Sequence, residues 1–254
     1  MIKKAILLVM SFMTALVNAS TLDLGLVAHY TFDGNANDIS GNGMNGIVQG
    51  VALVSDRFNV SNRAYSFSGE YEPESNIKIP GLVTGANRTF SSWIKLTGGQ
   101  DGPRVFSFSP GEMTIDLNVN GLQRLNINTQ TVEGGDGFST SGIDLFNKWT
   151  HVVGVWSEIG GAIYMNGHAI TQKTWTAVAI TDYSNGFIPE IGGNSGALWD
   201  PFAGVIDDVR IYNRALTASE VAEIYTTESV PEPSAFSLLA FGLGGLALVR
   251  RRRS

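Results

Sequence analysis

Two acidic stretches hold the residues best suited to chemistry. FDGNANDISGNG, residues 32–43, offers the oxygens of Asp33, Asn35, Asn37, Asp38 and Asn42, with glycines that let carbonyls turn inward. AGVIDDVRIY, residues 203–212, reads as a strand. Simple alternation there puts Val205, Asp207, Val209 and Ile211 on one face and Ile206, Asp208, Arg210 and Tyr212 on the other. Asp207 then sits in an apolar stripe. A carboxylate in such a place is costly unless backbone amides or a cation compensate it. Hard oxygen donors without His or Cys suit Ca²⁺. The bland alternative makes DGN and GNG ordinary turn residues and lets backbone N–H groups satisfy Asp207. An EF-hand does not account for the loop: counted from Asp33, its sixth position is Asp38 instead of Gly and its twelfth is Met44 instead of Glu.

Other chemistries lack their parts. A retaining glycosidase needs two carboxylates about 5–5.5 Å apart on one groove. EYEPES, with Glu70, Glu72 and Glu74, is the nearest approach, and Pro73 interrupts it. His29, His151 and His168 stand apart from one another in sequence. His151 alternates with Val153 and Val155, so it reads as a packed, hydrogen-bonded histidine on or beside the sandwich's apolar face. The chain has no cysteine and no G-x-S-x-G element, so nucleophilic catalysis has no candidate. Trp93, Trp149 and Trp156 fall in strand patterns and read as core. Trp175 and Trp199 fall in loop-like surroundings where an exposed ring could stack on a sugar, with local loop packing as the alternative.

Short strands must position these residues. LVAHYTF (26–32), AYSFSG (64–69), TFSSWIKL (89–96), RVFSFS (104–109), MTIDLNV (113–119), THVVGVW (150–156) and AIYMNG (162–167) are β-branched or aromatic, and Gly, Asn, Asp or Pro bound them. Asn166-Gly167 predicts a tight type I′ hairpin. TASEVAEIY predicts the one convincing helix, with Thr217 as cap and Glu220 reaching back. Thirty glycines, many strands and one late helix predict an all-β fold, an antiparallel two-sheet jelly-roll sandwich.

The two ends carry addresses. Lys3 and Lys4 precede the apolar run at residues 5–17 and the small-residue site Val17-Asn18-Ala19, which reads as a signal peptide over residues 1–19. The run falls short of the ~20 residues of a spanning helix. At the other end, Ser234 to Val249 is uncharged and apolar and abuts Arg250, Arg251, Arg252 and Arg253. Arginines at one end of such a span stay cytoplasmic, so the body lies outside. Both ends are basic and the whole chain is −6, so the segment between them is strongly acidic and suits no nucleic acid.

Pro231, Glu232 and Pro233, followed by that span and the arginine cluster, resemble the PEP-CTERM sorting signal of Gram-negative bacteria over residues 230–254. The resemblance implies an exosortase-type membrane protease as partner, a membrane-inserted stage through residues 234–249, and delivery to the cell surface or extracellular matrix. Between the addresses, HYTFDGNANDISGNGMNG (29–46), TFSSWIKL, NKWTHVVGVW and AGVIDDVRIYNRALTASEV (203–221) come in the order of the laminin G-like, pentraxin-related branch of the concanavalin A-like jelly rolls. That likeness implies a domain over residues 20–229 whose first and last strands are neighbours. It also implies a structural Ca²⁺ bridging Asp38 and Asp207, with Asp33 as a further ligand. Laminarinase-type relatives of this fold carry an E-x-D-x-x-E strand that this chain lacks. The expected function is a noncatalytic module that recognises extracellular glycan or matrix protein. A structural or adhesion component of the matrix is the alternative, and a glycoside hydrolase is the outsider.

Overall fold

A computed structural model describes residues 21–70, 74–99, 102–108, 111–119, 122–131, 134–175, 188–193 and 201–231. The signal segment, Trp199 and the tail from Glu232 onward lie outside these residues.

The strands are β1 (Leu26–Tyr30), β2 (Ile47–Gln49), β3 (Ala52–Val54), β4 (Ala64–Ser68), β5 (Asn76–Lys78), β6 (Arg88–Gly98), β7 (Arg104–Phe108) and β8 (Gly111–Val119). They continue with β9 (Leu122–Thr131), β10 (Gly134–Ser139), β11 (Trp149–Ser157), β12 (Gly160–Met165), β13 (His168–Thr174), β14 (Glu190–Ile191) and β15 (Ala203–Tyr212), and one helix, α1 (Ala218–Glu228), follows. One antiparallel sheet runs β13-β12-β11-β6-β15-β4-β3, with β1 also on β15, and the other runs β10-β9-β8-β7-β14-β5-β2. The two form the expected sandwich.

Alternation builds its main core. Phe90, Ile94 and Leu96 of β6 and Val152 and Trp156 of β11 meet Phe106, Met113, Leu125, Ile127 and Ile191 of the opposite sheet. Phe90 and Phe106 stack at 4.3 Å across the gap. The expected hairpin forms: Met165 pairs with His168 across Asn166 (φ 48°) and Gly167 (φ 78°).

A second apolar layer lies on the other side of the first sheet, where Val153, Val155, Tyr164 and Tyr212 pack under Leu216, Val221 and Ile224. The helix that covers them is capped as its sequence predicts, with Thr217 accepting from the Glu220 N–H and Glu220 returning the bond to the Thr217 N–H. Sheet faces of an isolated sandwich would be solvated here. Because α1 covers this one, side chains pointing away from the main core on β6, β11 and β15 are buried as well.

One irregularity interrupts β15. Along β15, Ala203 to Ile206 pair with β4 and Val209 to Tyr212 pair with β1 on the same edge, while β6 follows the other edge throughout. Between the two pairings the register against β6 slips: Asp207 lies opposite Trp93 and Arg210 opposite Ser91. Asp208 takes φ 44° in this bulge.

Candidate functional site: an ionic cleft at the β15 bulge

The bulge reverses the alternation expected for β15. Ile206, Val209 and Ile211 face the main core. Asp207 and Arg210 therefore share the opposite face, toward α1. Asp207 is buried, 2% exposed, yet its neighbours are ionic and not the apolar stripe that uninterrupted alternation predicts.

Its compensation is a guanidinium. Arg57, from the turn between β3 and β4, donates from Nη1 to Asp207 Oδ2 at 2.7 Å and contacts Asp208 Oδ2 from Nη2 at 2.6 Å. Its Nε and Nη2 also donate to the Glu228 carbonyl at 3.1 and 2.5 Å, and its plane rests 4.8 Å from the Trp93 ring. One arginine thus joins the β3–β4 turn, the β15 bulge and the last turn of α1. Asp207 Oδ1 accepts from the Asp208 N–H at 2.9 Å.

Glu228 is the second hub. Its carboxylate accepts from Arg210 Nε at 2.6 Å and from Trp93 Nε1 at 3.0 Å. The buried His151 bonds Ser91 Oγ through Nε2 at 2.8 Å and stands 3.9 Å from Glu228, on the α1-facing side with Val153 and Val155. Burial, helped by Arg57 and Arg210, pulls the His151 pKa down to about 3, so its ring is neutral. Burial and the nearby Asp208 charge push Asp207 up to about 9 against the pull of Arg57. The same two causes push Glu228 up to about 7 against Arg210.

The three residues expected to share a calcium ion face different partners. Asp38 is the hub of its own loop: Oδ1 accepts from the His29 and Ser40 N–H groups at 2.9 Å each, and Oδ2 from Ser40 Oγ at 2.9 Å and the Met44 N–H at 3.0 Å. Partial burial would raise its pKa, but these donors hold it below the usual value. Asp33 pairs with Arg63 Nε at 3.0 Å. Each carboxylate thus already faces N–H or O–H donors. Among the described residues no group of three or more His, Cys, Asp or Glu side chains is arranged to hold a metal. Asp38 thus organises its own loop, and Asp207 faces Arg57.

Asp33 and Asp207 do line one open cleft of about 220 Å³, from which Asp38 is absent. Its walls are the end of β1, the turn from Asp56 to Arg63, the β15 bulge and the end of α1 up to Val230. His29 contributes an imidazole whose Nε2 is buried and has no hydrogen-bond partner. Burial and Arg210 pull its pKa to about 3.

The tryptophan candidates fare differently. Trp175 is no exposed platform: it is 7% exposed, donates from Nε1 to the Ser157 carbonyl at 3.1 Å and joins the main core. It is seated there because Gly161 has no side chain, since a Cβ at that position would stand 2.5 Å from its ring. Trp199 lies outside the described residues. Of the EYEPES glutamates, Glu74 pairs with Lys78 at 2.9 Å and Glu72 lies outside the described residues.

The profile of the concanavalin A-like lectin/glucanases superfamily matches residues 72–222. The chain belongs to that superfamily. Residues 229–253 of this lectin-like chain match the PEP-CTERM protein-sorting motif, which implies export, surface sorting and exosortase processing in Gram-negative bacteria. The motif begins at the residue after Glu228. Pro231 is described and exposed, whereas Glu232, Pro233 and Arg250 to Arg253 lie outside the described residues, as does the apolar span at 234–249. Among the described residues no helix is long and apolar enough to cross a membrane.

Solved structures extend the fold likeness. Domain 4 of AbnA, a GH43 extracellular arabinanase from Geobacillus stearothermophilus, solved in complex with arabinotriose, is similar at 25% identity and TM-score 0.60, over 79% of this chain and 98% of that domain. The binding domain of Paraclostridial Mosquitocidal Protein 1 is similar at 19% identity and TM-score 0.61, over 82% of this chain and 53% of that one. The botulinum neurotoxin type G receptor binding domain is similar at 17% identity and TM-score 0.59, over 80% and 51%. The chain spans about half the length of these two toxin domains. No curated protein is similar enough in sequence to count as a relative.

Arg57, Arg63, Arg210 and Glu228 were not anticipated as site residues. Glu228 left a signal, since it continues the Val221–Ile224 face of α1 one turn further on and a carboxylate in line with an apolar helix face needs a partner. Arg57 left none: a lone arginine in SDRFNVSN is indistinguishable from a solvated turn residue.

Proposed function

We propose that the protein is an exported, surface-sorted, noncatalytic module that recognises extracellular glycan. The observation that carries this reading is the likeness to a whole arabinanase domain, 98% of it covered, that was solved with an arabinose oligosaccharide. The sorting motif supports it by implying delivery to the cell surface, where such ligands are found. The cleft supports it as well, because its polar walls are tied to one another by ion pairs through Arg57, Arg63 and Arg210. His29 and His151 are buried and neutral, and every carboxylate of the cleft considered above has an arginine or N–H partner.

A glycan array probed with the full-length protein, with reducing ends assayed in parallel, tests the proposal. Saturable binding without released sugar is the expected result. Silence across the array would favour a matrix or adhesion component without a ligand pocket, and released reducing ends would make it a hydrolase.

A further inference from the structure

The cleft at the β15 bulge brings charged and polar side chains from four parts of the chain to one open surface. We propose that it is a saccharide subsite that takes one uncharged sugar ring through adjacent hydroxyl groups. The proposal rests on the glycan-binding reading and specifies where on this chain the ligand sits.

The walls present acceptors and donors side by side. Asp33 and Arg63 stand 3.0 Å apart and are 41% and 38% exposed at the mouth, so a vicinal diol can donate to the carboxylate and accept from the guanidinium at once. Deeper in, Asp208 and Arg57 repeat the pairing at 2.6 Å. His29 adds a buried Nε2 that lacks a partner. As a neutral ring it donates or accepts according to its tautomer, which matches a hydroxyl and not an ion. Buried polar atoms without partners are uncommon in folded proteins, and each calls for an explanation.

Charge narrows the class. Arg57, Arg63 and Arg210 are each already paired with a carboxylate of the chain, so uronates and sulfated sugars find no spare cation on the walls. Size narrows it further. At about 220 Å³ the cleft is smaller than the roughly 300–1,000 Å³ of drug-sized pockets, which suits one ring of a longer chain. The backbone is held in unusual conformations around it. Four of the six described non-glycine residues with positive φ border the cleft or its turn: Phe32, Asn59, Asn62 and Asp208. Such strain clusters at ligand sites.

The test is calorimetric titration of the full-length chain, purified in a non-sugar detergent, with arabinotriose, with the uncharged oligosaccharide that binds most tightly in the array, and with a galacturonate trimer. The paired variant Asp33→Asn/Arg63→Gln alters the mouth and spares the buried network. His29→Phe, checked for an unchanged melting transition, serves as the second variant. Both variants are expected to weaken uncharged-sugar binding by about tenfold or more, and the galacturonate trimer is expected to bind at least about tenfold more weakly than its neutral counterpart. Wild-type affinity in both variants would move the site elsewhere and leave the glycan-binding reading standing. Tighter binding of the galacturonate would overturn the ligand class. No binding to any array sugar would remove the parent reading and this one together.

Discussion

Arg57 and Asp207 lie 150 residues apart in sequence and 2.7 Å apart in space, and both side chains are nearly out of solvent. The pair closes the gap on β15 where β4 pairing stops and β1 pairing starts. It also ties the end of α1 to the sheet, through the Glu228 carbonyl.

Replacing Arg57 is therefore predicted to be severe. Arg57→Met removes the cation from buried Asp207 and half-buried Asp208 and takes two donors from the Glu228 carbonyl, a loss on the order of 3–5 kcal/mol by chemical denaturation. Asp207→Asn should cost less, because Arg57 keeps Asp208 and the Glu228 carbonyl. The double variant should cost less than the sum of the two, and simple additivity would show that the pair is not coupled.

Stability should peak on the acid side of neutral. Asp207 and Glu228 have folded pKa values above their unfolded values of 3.8 and 4.5, so the folded state holds their protons more tightly. Their contribution is full at low pH and is lost as pH rises toward about 7 for Glu228 and about 9 for Asp207. His29 and His151 are depressed from 6.5 to about 3, so the folded state holds their protons more weakly and stability falls as pH drops through that window. The two trends oppose each other, which places the maximum at about pH 5–6. Denaturation midpoints measured from pH 4 to 9 check it, and a maximum at pH 8 or above would contradict the burial of these carboxylates.

The helix over the second core depends on its cap. Thr217→Ala removes the acceptor for the Glu220 N–H and should cost about 1 kcal/mol, read as a lower melting temperature. An unchanged transition would mean that α1 is held by its packing on Val153, Val155 and Tyr212 alone.

The β12–β13 turn offers a backbone test. Asn166→Gly should be nearly neutral because the position has φ 48°, whereas Asn166→Val should cost about 1–2 kcal/mol for forcing a β-branched residue into that region. Equal stability of the two variants would contradict the I′ turn.

How legible all this was in the sequence depends on the range of the interaction. The Asn166-Gly167 hairpin and the Thr217–Glu220 capping box are local, so residue types a few positions apart specify them. The long, apolar β6 and β11 show themselves through β-branched and aromatic runs, whereas three-residue strands such as β2 and β5 and the polar β9 carry too little periodicity to stand out. The face of Asp207 was misread because a bulge adds one residue to the count, and alternation after it changes sign. That bulge exists because β15 changes partner from β4 to β1, a tertiary fact with no local signature. The acidic character of position 207 was legible. The identity of its partner was not, because Arg57 reaches it only once the sheet has formed. Trp175 stayed open between exposure and packing for a similar reason: the glycine that seats it, Gly161, lies on a neighbouring strand.

One titration bears most directly on an arginine-closed cluster beside a cleft for an uncharged sugar. The array's best uncharged oligosaccharide is titrated into the full-length protein by calorimetry, once in EGTA and once in calcium. With Arg57 as the compensating cation and Asp38 engaged by N–H and O–H donors, affinity and melting temperature should be the same in both buffers. Binding that appears only with calcium, or a melting temperature that falls in EGTA, would contradict the account.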